Sequence, residues 1–232
     1  MVAYHKSVLL REAIDALNIR DAWYLDCTLG DGGHLIEIVK RGGRVIGIDA
    51  DPQALERVQK RFKDLGISKD KYRLVLGNFR DVKNLLRQTD TEKLKIAGAV
   101  FDLGVSSLQL ESPERGFSFA KLGPLDMRMD PSLQVQALDL LNVFTRKELY
   151  ELFHSLGEEK HSWRLADTLV RARPLNTTTE LAAVVEKAMR GRREKIHPAT
   201  RVFQALRIAV NDELGALEEG LKEVLRQKGI IV

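Results

Sequence analysis

The sequence predicts an α/β protein: a doubly wound, mostly parallel sheet of Rossmann-like type that carries an inserted helical domain. Three observations lead there. Apolar strand-like runs alternate with helical stripes through the first hundred residues, and a glycine-rich turn follows the first of those runs. From about Ser112 onward, helical patterns follow one another without strands between them. Strands separated by helices of this length imply right-handed crossovers, and therefore parallel neighbours.

Each element has its own signal. Val8, Leu9, Ala13, Ile14 and Leu17 form an apolar stripe behind Ser7, which suits an N-cap. Trp23-Tyr24-Leu25 reads as a short strand ending in Asp26, the stretch from His34 to Lys40 as a helix, and that from Arg44 to Asp49 as a buried strand. Asp51 and Pro52 open the next helix as N-cap and first-turn proline; Leu55, Val58 and Phe62 face the core, and Gly66 ends it. Leu74-Val75-Leu76 makes a third strand, the Val82, Leu85, Leu86 stripe a helix, and Ala97 to Phe101 a fourth strand. Residues 112–131 are rich in Gly, Pro, Met and charge without periodicity, the texture of a long loop of the kind that often carries function. Thr145 with Glu148, and Thr177 with Glu180, are capping boxes ahead of apolar stripes. One helix from Ala199 through Leu225 is expected to return the chain to the sheet, where Ile230-Ile231-Val232 begins another strand. The expected division is 1–111, an insert over 112–200, and a return over 201–232 that lacks the C-terminal strands of the sheet.

Composition narrows the function. The chain has 232 residues, 44% hydrophobic and 30% charged, which is ordinary for a globular protein with a sizeable core. A net charge of +4 only nudges the expectation toward an anionic partner. The single cysteine excludes an internal disulfide framework and a Cys-rich zinc site, and fits a reducing cytoplasmic setting. No apolar run is long enough to span a bilayer, so no membrane is expected as partner. The five histidines show no zinc spacing, and no metal is expected.

The strongest local signal is Asp26-Cys27-Thr28-Leu29-Gly30-Asp31-Gly32-Gly33-His34, between strand and helix. Glycines there let backbone approach a ligand, and the helix start offers N–H groups to a phosphate or an amino-acid carboxylate. The alternative is a turn that binds nothing. A dinucleotide fingerprint counted from Gly30 and Gly32 requires Gly or Ala where Leu35 stands, so the match fails at one of three glycines. S-adenosylmethionine, which has no pyrophosphate, fits the looser turn better. Asp49 ends the second strand about twenty residues later, where an acid accepts from ribose hydroxyls or else caps a helix, a role Asp51 already fills. Phe79 stands either beside an adenine or in the core. Asp102 either faces the same crevice or caps Ser106 and Ser107. The cluster Arg190, Arg192, Arg193 and Lys195 either contacts phosphates or forms a solvated surface.

Five longer runs resemble one family closely. They are Gly30 to His34, Asp102-Leu103-Gly104-Val105-Ser106-Ser107, Glu114-Arg115-Gly116-Phe117-Ser118-Phe119, Gly123 to Asp130, and Phe203 to Leu214. Together with the His5 to Leu10 segment and Gly157-Glu158-Glu159-Lys160, they are similar to the RsmH (MraW) family of bacterial small-subunit (16S) ribosomal RNA cytosine-N4 methyltransferases. The resemblance covers essentially the whole chain. It implies a class I S-adenosylmethionine-dependent methyltransferase fold with an inserted substrate-binding domain, acting in the cytoplasm on small-subunit ribosomal RNA or an assembled 30S-type subunit. Whether it acts as a monomer or a homodimer stays open. The cofactor contacts it implies are Gly32, Gly33 and His34 in the turn, Asp49 for the ribose, Phe79 beside the adenine, Asp102, and Gln109.

The chain departs from the family pattern at Asp31, usually basic or small, at Cys27, often Gly, and at Leu108, often Pro. The family also continues past Val232 with a Ser-Phe-His-Ser-Leu-Glu-Asp motif, and a version extended through it is expected to be more soluble, melt higher and methylate faster. Pyrimidine C5 methylation, which needs a cysteine nucleophile, fits poorly, because Cys27 reads better as a small buried residue. The rivals are a nicotinamide oxidoreductase and a non-catalytic RNA-binding module.

Overall fold

The computed structural model describes residues 7–89, 91, 93–191, 196–226 and 229–232. In chain order the elements are α1 (Leu10–Leu17), β1 (Trp23–Asp26), α2 (Gly33–Lys40), β2 (Arg44–Asp49), α3 (Pro52–Asp64), β3 (Tyr72–Leu76), α4 (Val82–Gln88) and β4 (Ile96–Val100). There follow α5 (Ser107–Glu111), α6 (Ala137–Val143), α7 (Arg146–Ser155), α8 (Ser162–Arg171), α9 (Thr178–Met189), α10 (Ala199–Asn211), α11 (Glu213–Leu225) and β5 (Ile230–Ile231). They group into two compact units, one running to Ser107 and again from Leu214, the other from Leu108 to Glu213.

The first unit is a five-stranded sheet in the order β3-β2-β1-β4-β5, with every neighbouring pair parallel. This is the doubly wound arrangement, and side-chain alternation along the strands explains why both faces are covered. Trp23, Leu25, Ile46 and Ile48 point to one face, where Leu85, Leu86 and Val224 of α4 and α11 close the core. Tyr24 and Val45 point to the other, against Ile14 and Leu17 of α1, Leu35 and Ile38 of α2, and Val58 and Phe62 of α3. Helix α3 starts as its sequence dictates: Asp51 accepts a hydrogen bond from Gln53 N–H, with Pro52 in the first turn.

Helix α1 differs from expectation. It begins at Leu10 rather than behind Ser7, its N-cap position is Leu9 at φ 47°, and no side chain caps it. Val8 and Leu9 are both exposed. The final helix also differs, because the expected span from Ala199 to Leu225 is two helices. Asp212, at φ 44° and ψ 48°, takes the left-handed conformation that ends α10.

The second unit is helical. The capping boxes at Thr145/Glu148 and Thr177/Glu180 form as the sequence predicts, and a third at Gln136/Asp139 starts α6. The stretch before α6 is irregular but tied down. Asn211 grips its backbone, donating to Met127 O at 2.8 Å and accepting from Met129 N–H at 2.7 Å. Arg128 makes a forked pair with Asp126 (2.7 and 2.9 Å) and reaches Leu133 O at 2.7 Å. Gly123 has no room for a side chain: a Cβ there would lie 1.9 Å from Pro113 O. In the Gly157 to Lys160 run, Glu159 is buried and accepts from His161 N–H at 2.7 Å, so this family-like run has an architectural role.

Candidate cofactor site

The carboxyl ends of β1, β2 and β4 meet at the glycine turn, at the point where the strand order reverses. The turn is fixed by backbone bonds that extend the ladders on both sides. Cys27 N–H donates to Val100 O (3.0 Å) beyond β1, and Leu29 N–H donates to Ile48 O (3.1 Å). Gly30 and Gly32 have φ of 49° and 73°, the left-handed region that glycine enters at no steric cost. A Cβ on Gly32 would press to 2.8 Å on Val58 of α3, and one on Gly33 would fall 2.1 Å from Ser7 Oγ. Ser7 therefore lies against the turn instead of capping α1. No side chain caps α2 itself.

Acids close the strand ends. Asp49 accepts from Gly30 N–H and from Asp51 N–H, both at 2.9 Å, so its carboxylate holds the turn in place. Burial pushes its pKa up to about 6, against the pull of those two N–H groups. Asp102 is anchored through its own N–H, which donates to Thr28 Oγ1 at 2.7 Å, and its carboxylate lies 3.8 Å from His34 Nδ1. His34 is buried, and burial holds its imidazole below the usual range, so at neutral pH it faces Asp102 uncharged. Phe79 opens a short 3-10 turn after β3 and lies at the same sheet end, since Leu76 pairs with Asp49 and Gly77 N–H donates to Asp49 O. Its ring is half-buried, edge-on to Phe101 at 5.5 Å, and Gly220 of α11 leaves room for it.

The structure thus brings Gly32, Gly33, His34, Asp49, Phe79 and Asp102 to one end of one sheet. Gln109 lies in α5, two residues into the second unit by the division at Ser107. Arg190 ends α9, whereas Arg192, Arg193 and Lys195 lie outside the described residues. Cys27 is buried in the sheet core and burial pushes its thiol up, which leaves it a packing residue rather than a nucleophile. Asp31 forms an ion pair with Arg57 of α3 at 3.0 Å, and Arg61 donates to its carbonyl, so this departure from the family pattern has a local partner set. Among the described residues no cluster of His, Cys, Asp or Glu suits a metal, and no helix is long and apolar enough to cross a membrane.

One residue of the turn motif has a place in the site that the sequence reading does not assign to it. Asp26, at the end of β1, is 1% exposed, and its Oδ2 has no hydrogen-bond partner. Burial, with Asp49 and Asp102 nearby, pushes its pKa up to about 7 despite the pull of the Thr28 N–H, which bonds its other oxygen, and of the Leu35 N–H. The signal was an acid closing an apolar strand immediately before the turn, the same position that Asp49 holds on β2.

The missing dinucleotide glycine also has a structural counterpart. Leu35 is fully buried against β2, and the close approach of helix to strand is granted from the strand side. A Cβ on Gly47 would sit 2.6 Å from Leu35 Cδ1. The turn is therefore built differently from the G-x-G-x-x-G fingerprint.

Comparison with known proteins assigns the chain. The MraW methylase family matches residues 2–232. The ribosomal RNA small subunit methyltransferase H of Dehalococcoides mccartyi is 45% identical over 96% of this chain and 64% of its own length. That of Carboxydothermus hydrogenoformans is 45% identical (98% and 75%), and that of a Synechococcus strain 48% (94% and 70%). The chain thus spans about two thirds of the length of these relatives. Among solved structures, an rRNA methylase from Streptococcus thermophilus aligns with 44% of this chain and 51% of its own at 21% identity and a TM-score of 0.33. The C-terminal domain of precorrin-6Y C5,15-methyltransferase from Rhodobacter capsulatus aligns with 43% and 50% at 21% identity and a TM-score of 0.34. The chain belongs to the MraW methylase family.

Proposed function

We propose that the strand-end crevice binds S-adenosylmethionine and that the chain methylates the exocyclic N4 of a cytidine in the decoding region of small-subunit (16S) ribosomal RNA, in the cytoplasm. The observation that carries the cofactor reading is the buried, unpartnered Oδ2 of Asp26 beside a glycine turn without a side-chain cap. A buried carboxylate oxygen without a donor costs free energy unless a ligand supplies one, and the cofactor carries an ammonium group and a sulfonium. The names of the relatives, together with the long motifs, support ribosomal RNA as substrate.

When bound, the cofactor supplies an activated methyl group. The residues do the rest. Asp49, already oriented by Gly30 and Asp51, keeps lone pairs for ribose hydroxyls. Gly32 and Gly33 keep the turn free of side chains, and Phe79 offers a half-exposed ring edge to an adenine. Asp26 accepts from the cationic head, and Asp102 with His34 closes the β4 side. Cytosine N4 is a weak nucleophile because its lone pair is delocalised into the ring. Holding N4 in line with the methyl group is therefore the main task of the protein, and such positioning contributes roughly 7–11 kcal/mol. No general base is assigned.

Two measurements test the reading. S-adenosylmethionine, and not NADH, is expected to raise the melting temperature. Mass spectrometry of nucleosides, after incubation with unmodified small-subunit RNA, is expected to find N4-methylcytidine. Stabilisation by NADH alone, or methylation at another atom, would overturn it.

A further inference from the structure

Outside their apolar core, helices α7 and α8 of the second unit are bridged by a ladder of aromatic and charged side chains. The core faces of these helices are Leu149, Leu152 and Phe153 on one and Leu165 and Leu169 on the other. Away from that core, the Arg146 guanidinium lies 4.4 Å from the centre of the Trp163 ring. Tyr150 meets Trp163 edge-on at 5.4 Å, and His154 stacks on Tyr150 at 5.5 Å with the planes 10° apart. Trp163 is 50% exposed.

A lone exposed apolar residue is ordinary, but this one sits in chemistry suited to a particular partner. Trp163 is the one large apolar side chain exposed on α7 and α8, so the face lacks the contiguous apolar area that a protein partner needs. Instead an arginine lies over the exposed ring, with further charged side chains on the same two helices. Arg146 covers one ring, Arg164 follows Trp163 and is exposed, and Arg171 lies one turn beyond Asp167, which pairs with both Arg146 (3.3 Å) and Arg171 (3.0 Å). Aromatic platforms with arginine beside them are how proteins hold unstacked bases, because every base has a face to stack and a phosphate to pair.

We propose that this face binds an unpaired stretch of RNA, with a base stacked on the exposed Trp163 ring and an adjoining phosphate at Arg146. The proposal rests on the reading of RNA as substrate, and it places one contact of that substrate on α7 and α8.

The chain supplies its own reporter. It has two tryptophans, and the other, Trp23, is buried. Titration with a short single-stranded oligoribonucleotide is expected to quench tryptophan emission, and Trp163→Phe is expected to abolish the change. In anisotropy with a labelled oligoribonucleotide, Trp163→Ala is expected to weaken binding by about five- to a hundredfold, while Trp163→Phe retains most of the affinity. Unaltered affinity in Trp163→Ala, or quenching that persists in Trp163→Phe, would overturn the proposal. A change of oligomeric state in Trp163→Ala at constant RNA affinity would assign the face to a protein partner instead. Failure here leaves cofactor binding and methylation untouched, so it is distinguishable from failure of the proposed function.

Discussion

The turn from Asp26 to Gly33 and the stretch from Ser112 to Pro131 are both irregular backbone, yet their polar groups end in different situations. The turn is pinned to flanking strands through Cys27, Leu29 and Gly30, and it still leaves Asp26 Oδ2 buried without a hydrogen bond. The long stretch closes its polar groups within its own unit. Asn211 takes up Met127 and Met129, Arg115 bonds the carbonyls of Arg128 and Met129, and Thr178 both accepts from Gly123 N–H and donates to Lys121 O. Buried polar groups are normally satisfied. Of these two stretches, the one whose side chains tie its own backbone together reads as architecture, and the one that leaves a buried carboxylate oxygen at a sheet end reads as a receptor.

The contrast can be broken at several points. The largest effect is expected at Gly123. Its Cβ position is occupied by a backbone carbonyl that has no flexible side chain to yield, so Gly123→Ala should cost about 3 kcal/mol or more. A denaturant melt measures it, and a near-neutral result would mean that this stretch is loose rather than architectural. Asn211→Ala comes next. It strips both the Met127 carbonyl and the Met129 N–H of their partner, at about 1–3 kcal/mol for each group left buried. Equal melting of variant and parent would show that water replaces the side chain.

On the turn side the sign reverses. A carboxyl whose pKa is raised in the folded state binds its proton more tightly there than in the unfolded chain. Its contribution to stability is present below the unfolded pKa and is lost as pH rises through about 7 for Asp26. Asp26→Asn is thus expected to be more stable than the parent by about 2–4 kcal/mol near pH 8 and to match it near pH 4. The same variant should bind S-adenosylmethionine less well. A variant less stable at both pH values would show that Asp26 holds the fold rather than a ligand. The smallest effect concerns Asp49→Ala, expected to weaken cofactor binding by about ten- to a hundredfold through loss of roughly 1.5–3 kcal/mol of charged hydrogen bonds. Calorimetric titration decides, and unchanged affinity would remove Asp49 from the site.

Much of the first unit could be read from the chain because its signals are local. Asp51-Pro52 starts a helix whatever surrounds it, and apolar runs of four to six residues between glycines have few other uses. The two Thr/Glu capping boxes were legible for the same reason. Long-range partners were not. Ser7 was read as a cap because its neighbours are apolar, whereas it lies against Gly33, twenty-six residues away. The break at Asp212 escaped because apolar periodicity continues across it, and only the left-handed backbone there divides the helix. The place of Asp26 in the site escaped because an acid after a strand has many roles. What singles it out is burial with an unpartnered oxygen, and neither is written in the local sequence.

The most direct test of the receptor reading is the affinity for S-adenosylmethionine as a function of pH. Asp26, which meets the cationic head, and Asp49, which accepts from the ribose, have pKa values pushed up to about 7 and about 6, and each accepts hydrogen bonds most strongly as the carboxylate. Binding should release protons, and affinity should rise about tenfold or more between about pH 5.5 and about pH 7.5, with Asp26→Asn flattening the rise. An affinity that is absent, or constant across that range and the same in Asp26→Asn, would contradict the account.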